Sequence, residues 1–307
     1  MSEPATGYVS GGSVVDLIGD TPLLKLEKIA DIPPDVEIYA KAEWLNPGGS
    51  VKDRAARKMV SEAVRNGELK GGRSIMDSSS GNTAIAYAMI GAALGIPVTI
   101  VAPENINAER KKTIEAFGAG IVYSDPIEGS DGAILLARKL KERDSGKYFM
   151  PDQYNNPLNP LAHYETTGPE IWEQTGGRVT HFIAGAGTSG TIMGVSRRLK
   201  ELNPRIRTFA AQPAEAIHGL EGLKHMETSI VPGIYDPAGF DETVFVSTED
   251  AYAMMESMVR REGLFVGHSG GAAVCAAVGK AQTLESGVIV TVLPDSGMRY
   301  LSEKLWW

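Results

Sequence analysis

From residue 73 onward, short runs rich in β-formers alternate with longer helical patterns, each bounded by glycine or proline. That rhythm constrains the fold more than any other feature, because successive strand–helix units close most simply by parallel pairing, with the helices laid across the sheet. In a first series "SIMDS" leads into "GNTAIAYAMIGAAL", "VTIVAP" into "AERKKTIEAFG" and "GIVYS" into "GAILLARKLKER", and "KYFMPD" follows. A helix over "PLAHYETTGPEIWEQ" and a turn at "TGGR" introduce a second series: "THFIAG", "SGTIMGVSRRLKELN", "RTFAAQP", "ETVFVS", "EDAYAMMESMVRRE", "GGAAVCAAVGKAQ" and "GVIVTVLP". The reading is an α/β protein of two doubly wound open sheets, with ligands at the carboxyl ends of the strands and a cleft between the lobes. At 307 residues the chain has the length for two such lobes. Between them in the second series, Glu215 to Thr243 has little periodicity, and its glycine, proline and histidine content marks a functional loop or lid.

Several classes of protein are disfavoured. Thr83 to Pro103 is uncharged and contains a GxxxG, as membrane helices do. Gly95 and Pro97 divide it, so Ala84 to Leu94 reads as a buried helix and Val98 to Val101 as a buried strand. The opening "MSEPATGYVSGG" has neither a basic flank nor an apolar signal core. A net charge of −8 argues against nucleic-acid or anionic-membrane partners, so any anion must be held by local geometry. The single cysteine, Cys275, excludes an intramolecular disulfide, fits a reducing cytoplasm and reads as a buried structural thiol. The five histidines lack metal-ligand spacing, and no catalytic metal is expected.

Three turns carry chemistry. "THFIAGAGTSGTIMGV" contains G-x-G-x-x-G at Gly185, Gly187 and Gly190, but "RTFAAQP" ends in Gln212 where a dinucleotide site needs an acid. What remains is either a tight strand-to-helix turn or a phosphate cradle in which Gly187, Thr188, Ser189, Gly190 and Thr191 present N–H groups at a helix N-terminus. "DSSSGNTAIAYA" offers Ser79, Ser80, Asn82 and Thr83, either as helix caps or as a carboxylate cradle. It lacks the glycine that a nucleophile elbow sets two residues before its serine. "NPGGSVKDR" surrounds Lys52 with a turn and a helix start, a setting in which most lysines face water.

Together these turns resemble the fold-type II pyridoxal-phosphate enzymes, with the cysteine synthases and cystathionine β-synthases as the nearest branch. "IGDTPLL", "NPGGSVKDR", "SSSGNT", "QYNNPLNPLAHYETTGPEIW", "GAGTSGT" and "GLFVGHSGGAAV" match that family's motifs in order, over residues 13 to 302. The resemblance implies the fold of the tryptophan synthase β-subunit type, with residues 1–44 and 156–307 as a large cofactor-binding domain and 45–155 as a smaller mobile one. It implies pyridoxal 5'-phosphate as cofactor, joined to Lys52 as a Schiff base. The same amine, once freed, serves as base for the α-proton. Asn82 is implied to meet the ring hydroxyl, the 187–191 loop the phosphate, and Ser269 the pyridine nitrogen. A neutral hydroxyl there makes the ring a weaker electron sink than an aspartate would. Ser79, Ser80, Thr83 and Gln153 are implied to hold the substrate carboxylate.

The reaction so implied is β-replacement on O-acetylserine or O-phosphoserine through an enzyme-bound aminoacrylate, with sulfide or a sulfur-carrier thiocarboxylate giving L-cysteine in a cytoplasmic homodimer. Cystathionine synthesis, serine or threonine dehydration, and a cofactor-binding protein without turnover are the rivals; "SSSGNT" speaks against dehydration. Lys224, in the lid-like segment with His218 and His225, sits where a cation would favour a phosphate leaving group, unless it is merely solvated. Ser79 stands where many relatives carry threonine, and Trp306 and Trp307 read as packing or interface residues.

Overall fold

The computed structural model describes residues 12–302, so the reading of Trp306 and Trp307 falls outside the described residues. In chain order the strands are β1 (Leu23–Lys25), β2 (Val36–Ala42), β3 (Ser74–Ser78), β4 (Val98–Pro103), β5 (Gly120–Ser124), β6 (Tyr148–Phe149), β7 (His181–Gly185), β8 (Arg207–Pro213), β9 (Glu242–Val246) and β10 (Gly287–Leu293). They form a four-stranded sheet in the order β5-β4-β3-β6 and a six-stranded sheet in the order β1-β2-β10-β7-β8-β9. All pairings are parallel except β1 with β2. The helices are α1 (Lys52–Arg65), α2 (Asn82–Leu94), α3 (Ala108–Ala116), α4 (Gly129–Arg143), α5 (Leu158–Glu165), α6 (Thr167–Gln174), α7 (Gly190–Leu202), α8 (Thr248–Ser257) and α9 (His268–Ala281).

Strand order locates the site. In the smaller sheet β3 lies between β4 and β6, and in the larger one β7 lies between β8 and β10. At both places the winding reverses, so the turns leaving β3 and β7 open at the carboxyl edge without a crossover helix closing over them. These are the serine-rich turn before α2 and the glycine-rich turn before α7.

Thr83–Pro103 is a buried helix and a buried strand, as expected: α2 ends at Gly95, whose φ of +66° favours glycine. Gly91 lets α2 lie directly on β4, since a Cβ there would stand 2.2 Å from Cγ2 of Val98. No helix among the described residues is long and apolar enough to cross a membrane. Cys275 is only half-buried, on α9 against the core of the larger sheet.

Two features depart from the sequence reading. "PLAHYETTGPEIWEQ" is two helices, broken at Thr166 with φ −122° and ψ −71°. Pro169 has no N–H to donate to the Glu165 carbonyl, and the Thr166 hydroxyl instead donates to the Ala162 carbonyl at 2.7 Å. The reading also had no strands before residue 73, whereas β2 lies inside the larger sheet, paired with β10 from Val36 to Ala42. Its "VEIYAKA" alternates only weakly, because most of the strand is buried, Lys41 included.

Candidate active site

The turn "NPGGSVKDR" is shaped from within. Gly48 N–H donates to Oδ2 of Asp53 at 2.6 Å, and Val51 N–H donates to the Pro294 carbonyl at 2.8 Å, which ties the turn to the end of β10. Beneath the first turn of α1, Arg54 is buried in a polar cluster. Its Nε and Nη2 donate to Glu43 at 2.7 and 2.8 Å, and Nη1 and Nη2 donate to Glu170 at 2.6 and 2.7 Å. Thr21 donates to Glu43 at 2.6 Å, and Lys41 pairs with Glu170 at 2.6 Å. Burial alone would raise the Glu170 carboxyl, but Arg54 and Lys41 hold it down to about 2. This cluster anchors α1 so that Lys52 is carried at a fixed height on the cleft wall.

Lys52 itself is half-buried and lines a cleft of about 390 Å³. Surrounding protein desolvates the amine and pushes it below the usual lysine range, with the Asp295 carboxylate opposing that effect. Among the described residues its Nζ makes no hydrogen bond or ion pair; only the backbone N–H is engaged, at 3.3 Å from Oγ of Ser50.

Across the cleft, the turn after β3 is pre-shaped. Oγ of Ser79 accepts from Gly81 and Ala84 N–H at 3.2 and 3.3 Å, a capping role for α2. The Thr83 hydroxyl donates to Oε1 of Gln153 at 2.8 Å, and Nε2 of Gln153 donates to the Ser78 carbonyl at 3.2 Å. Ser80 also lines the cleft. Nδ2 of Asn82 donates to Oδ2 of Asp295 at 2.6 Å, while its Oδ1 is buried with no partner.

The turn after β7 is the third wall. Ser189 adopts φ +70°, a left-handed conformation uncommon outside glycine, immediately before α7. Gly187 and Gly190 are required by close approach: a Cβ would stand 2.0 Å from the Gly222 carbonyl oxygen at the first and 1.9 Å from Oδ1 of Asn159 at the second. The N–H groups of Gly187, Thr188 and Ser189 donate to no described protein acceptor. Asn159 joins this wall to the previous one, its Nδ2 donating to the Thr188 hydroxyl at 3.1 Å and to the Gln153 carbonyl at 2.8 Å. Thr191 lies 3.3 Å from Nε2 of His163, which burial, with help from Arg54, pushes down to about 3 and so keeps neutral.

Every residue assigned from the sequence lines this one cleft: Lys52, Ser79, Ser80, Asn82, Thr83, Gln153, Gly187, Thr188, Ser189, Gly190, Thr191, Lys224 and Ser269. Ser269 lies inside the first turn of α9, whose N-cap is Gly267, and makes no capping bond. The Glu215–Thr243 segment has a 3₁₀ turn at Pro237–Gly239 and runs into β9 at Glu242, and it contributes His218, Glu221 and Lys224 to the cleft. Lys224 is 13% exposed, with Nζ 3.7 Å from Asp131 and 5.5 Å from the Tyr154 ring centre, so it is not solvated. Sequence reasoning missed Asn159, Arg110, Tyr300 and Asp295. Asn159 falls within "QYNNPLNPLAHYETTGPEIW" and Arg110 within "AERKKTIEAFG", but nothing local marks any of the four as a neighbour of the cleft.

The family model described as pyridoxal-phosphate dependent enzyme matches residues 14–295. The chain belongs to the pyridoxal-phosphate dependent enzymes of the cysteine synthase family. It is 52% identical to a cysteine synthase of Aquifex aeolicus, covering 96% of this chain and 92% of that one. It is 42% identical to cysteine synthase B of Escherichia coli over 93% of each chain. The crystal structure of cysteine synthase from Entamoeba histolytica superposes with a TM-score of 0.93 at 35% identity, covering 100% of this chain and 93% of that one. The fold is therefore that of the tryptophan synthase β-like family, as the resemblance implied.

The walls of the cleft fit the family's cofactor, pyridoxal 5'-phosphate. A desolvated amine without a partner suits covalent attachment to an aldehyde. Uncommitted N–H groups before α7 suit a phosphate, and the orphaned Oδ1 of Asn82 suits a polar ring substituent.

Proposed function

We propose that the protein makes L-cysteine by β-replacement on an O-activated L-serine, with a sulfur nucleophile taking the place of the leaving group. The observation that carries this reading is the isolated, desolvated amine of Lys52 facing two helix N-termini with uncommitted polar groups. Lys52 holds the cofactor through Nζ, and N–H groups of Gly187, Thr188, Ser189, Gly190 and Thr191 hold its phosphate, where the α7 dipole favours a dianion. Asn82 and Ser269 meet the ring. When bound, pyridoxal phosphate supplies the electron sink that acidifies the substrate α-carbon. Ser79, Ser80, Thr83 and Gln153 receive the substrate carboxylate and turn its Cα–H toward Lys52. The lowered basicity of the amine suits Lys52, when its Nζ is free, to take the α-proton. Ser269, a neutral hydroxyl, leaves the ring nitrogen without an anionic partner and favours prompt loss of the β-substituent.

The donor is O-acetylserine, with O-phosphoserine as the second reading, which rests on Lys224. That ammonium is held at the cleft by a distant pairing with Asp131, and it is free to turn to a phosphate. The acceptor is sulfide or a carrier thiocarboxylate. Residues 45–155 move as the smaller domain over 1–44 and 156–307, and the enzyme works as a cytoplasmic homodimer. One assay tests the reading: purified protein with pyridoxal phosphate, given O-acetylserine or O-phosphoserine, each with sulfide or homocysteine. Cysteine from sulfide is expected. Exclusive product from homocysteine would make the protein a cystathionine synthase, and keto-acid release without acceptor would make it a dehydratase.

A further inference from the structure

Beyond opposing the desolvation of Lys52, Asp295 has no part in the chemistry above, yet it lies where the Lys52 turn, the serine-rich turn and the start of α9 meet. It follows β10 in "LPDSG" and is fully buried. Its backbone forms a bridge with Ser50, two residues before Lys52, and its carbonyl accepts from Gly267 N–H at 3.2 Å, two residues before Ser269. Its side chain reaches the serine-rich turn after β3: Oδ2 accepts from Nδ2 of Asn82 at 2.6 Å and from the Tyr300 hydroxyl at 2.6 Å.

A carboxylate offers only acceptors, so only the N–H end of the Asn82 amide can face it. The reversed amide would set two oxygens against each other at hydrogen-bond distance. The orientation of Asn82 is thereby chosen before any cofactor arrives, and its buried Oδ1 and second N–H are left for the ring. Asp295 is itself held by Tyr300. That ring packs 4.3 Å from the His268 ring and lies under the Arg110 guanidinium at 4.9 Å, and Arg110 pairs with Glu221 of the lid segment.

We propose that Asp295 is a positioning residue for the cofactor, which fixes the Asn82 amide in the orientation that binds the ring. The inference rests on the reading of Asn82 given under Proposed function. It is tested by a double-mutant cycle read out as the dissociation constant for pyridoxal phosphate, from equilibrium dialysis, together with the absorption maximum of the bound cofactor and the melting temperature. The variants are Asn82→Ala, Asp295→Ala, their combination, and Tyr300→Phe. Asn82→Ala and Asp295→Ala should each weaken binding about tenfold, the cost of one charge-assisted hydrogen bond, and the double variant should be no weaker than the worse single one. Tyr300→Phe should weaken binding by about threefold and vanish as an effect in the Asn82→Ala background. Should Asp295→Ala not fold, the Tyr300→Phe and Asn82→Ala pair completes the cycle by itself. Fold losses that multiply would overturn the proposal, as would a lowered melting temperature with unchanged affinity and spectrum. Unchanged affinity in Asn82→Ala would instead remove the Asn82 assignment, and the proposal with it.

Discussion

At Arg54 each carboxylate and each cation has a partner within hydrogen-bond distance, whereas two residues earlier the Lys52 amine has none among the described residues. Both lie on the first turn of α1 and both are taken largely out of water. The cluster with Glu43, Glu170, Lys41 and Thr21 recovers by pairing what burial costs, so it is an anchor. The cleft leaves that cost unrecovered at Lys52, at Oδ1 of Asn82 and at the N–H groups before α7. The difference separates holding from reacting: a group bonded to protein on every side has nothing left to offer a ligand.

Substitutions sharpen the contrast. Lys52→Ala should lower kcat by about 10⁴-fold or more, since it removes both the attachment amine and the base, while leaving the melting temperature of the apoprotein unchanged or higher. Near-normal cysteine formation would break the assignment. Glu43→Ala should do the reverse, with an unfolding free energy in urea lower by about 3–5 kcal/mol because Arg54 is left buried and half-paired, and kcat near normal in the protein that remains folded. Loss of turnover without loss of stability would mean that the anchor is part of the chemistry.

Lys224→Ala probes the border between the two regimes, because its partner Asp131 is 3.7 Å away. Stability should hardly change. If the ammonium meets a phosphate, kcat/KM should fall by about 1.5–3 kcal/mol for O-phosphoserine and much less for O-acetylserine. Equal losses would remove Lys224 from donor choice.

The smallest effect is in pH. Burial pushes Asp53, beside Lys52, and Asp77, behind the carboxylate loop, each up to about 7. A carboxyl whose folded pKa lies above its unfolded value binds its proton more tightly when folded, so stability falls as pH rises through 7. Between pH 6 and 8 each group should cost about 1.4 kcal/mol, and Asp77→Asn should halve the fall. Glu170, held down to about 2, has the opposite sign: its contribution is lost only as pH falls from about 4.5 toward 2. Urea unfolding at pH 6 and 8 at fixed cofactor concentration measures the fall, the same comparison at pH 3 and 6 between the protein and Glu170→Gln isolates the Glu170 contribution, and a flat profile from pH 6 to 8 would contradict the desolvation of Asp53 and Asp77.

Much of the site was legible because it is built from turns whose chemistry is local. The glycine-rich turn at 187–190 begins α7 and the serine-rich turn at 79–83 begins α2, so both carry their signature in neighbouring residues. The parallel strands after residue 73 were legible for the same reason, each bounded by its own turn. The strand β2 was not, since its pattern is blurred by burial of both faces, and the break at Thr166 was masked by an otherwise continuous helical pattern.

By itself, then, the sequence determined the rhythm of strands and helices, the two anion-receptive turns and the lysine that serves them, because each depends on residues within one turn of each other. Only the tertiary structure decided that Arg54 and Lys41 would be matched and Lys52 left alone, and that Asp295 and Tyr300 would stand behind Asn82. The partners in those contacts come from segments as far apart as residues 41 and 170, or 82 and 295. Whether a buried polar group is satisfied depends on which distant donor or acceptor the winding of the two sheets brings within about 3 Å, and no local pattern records that.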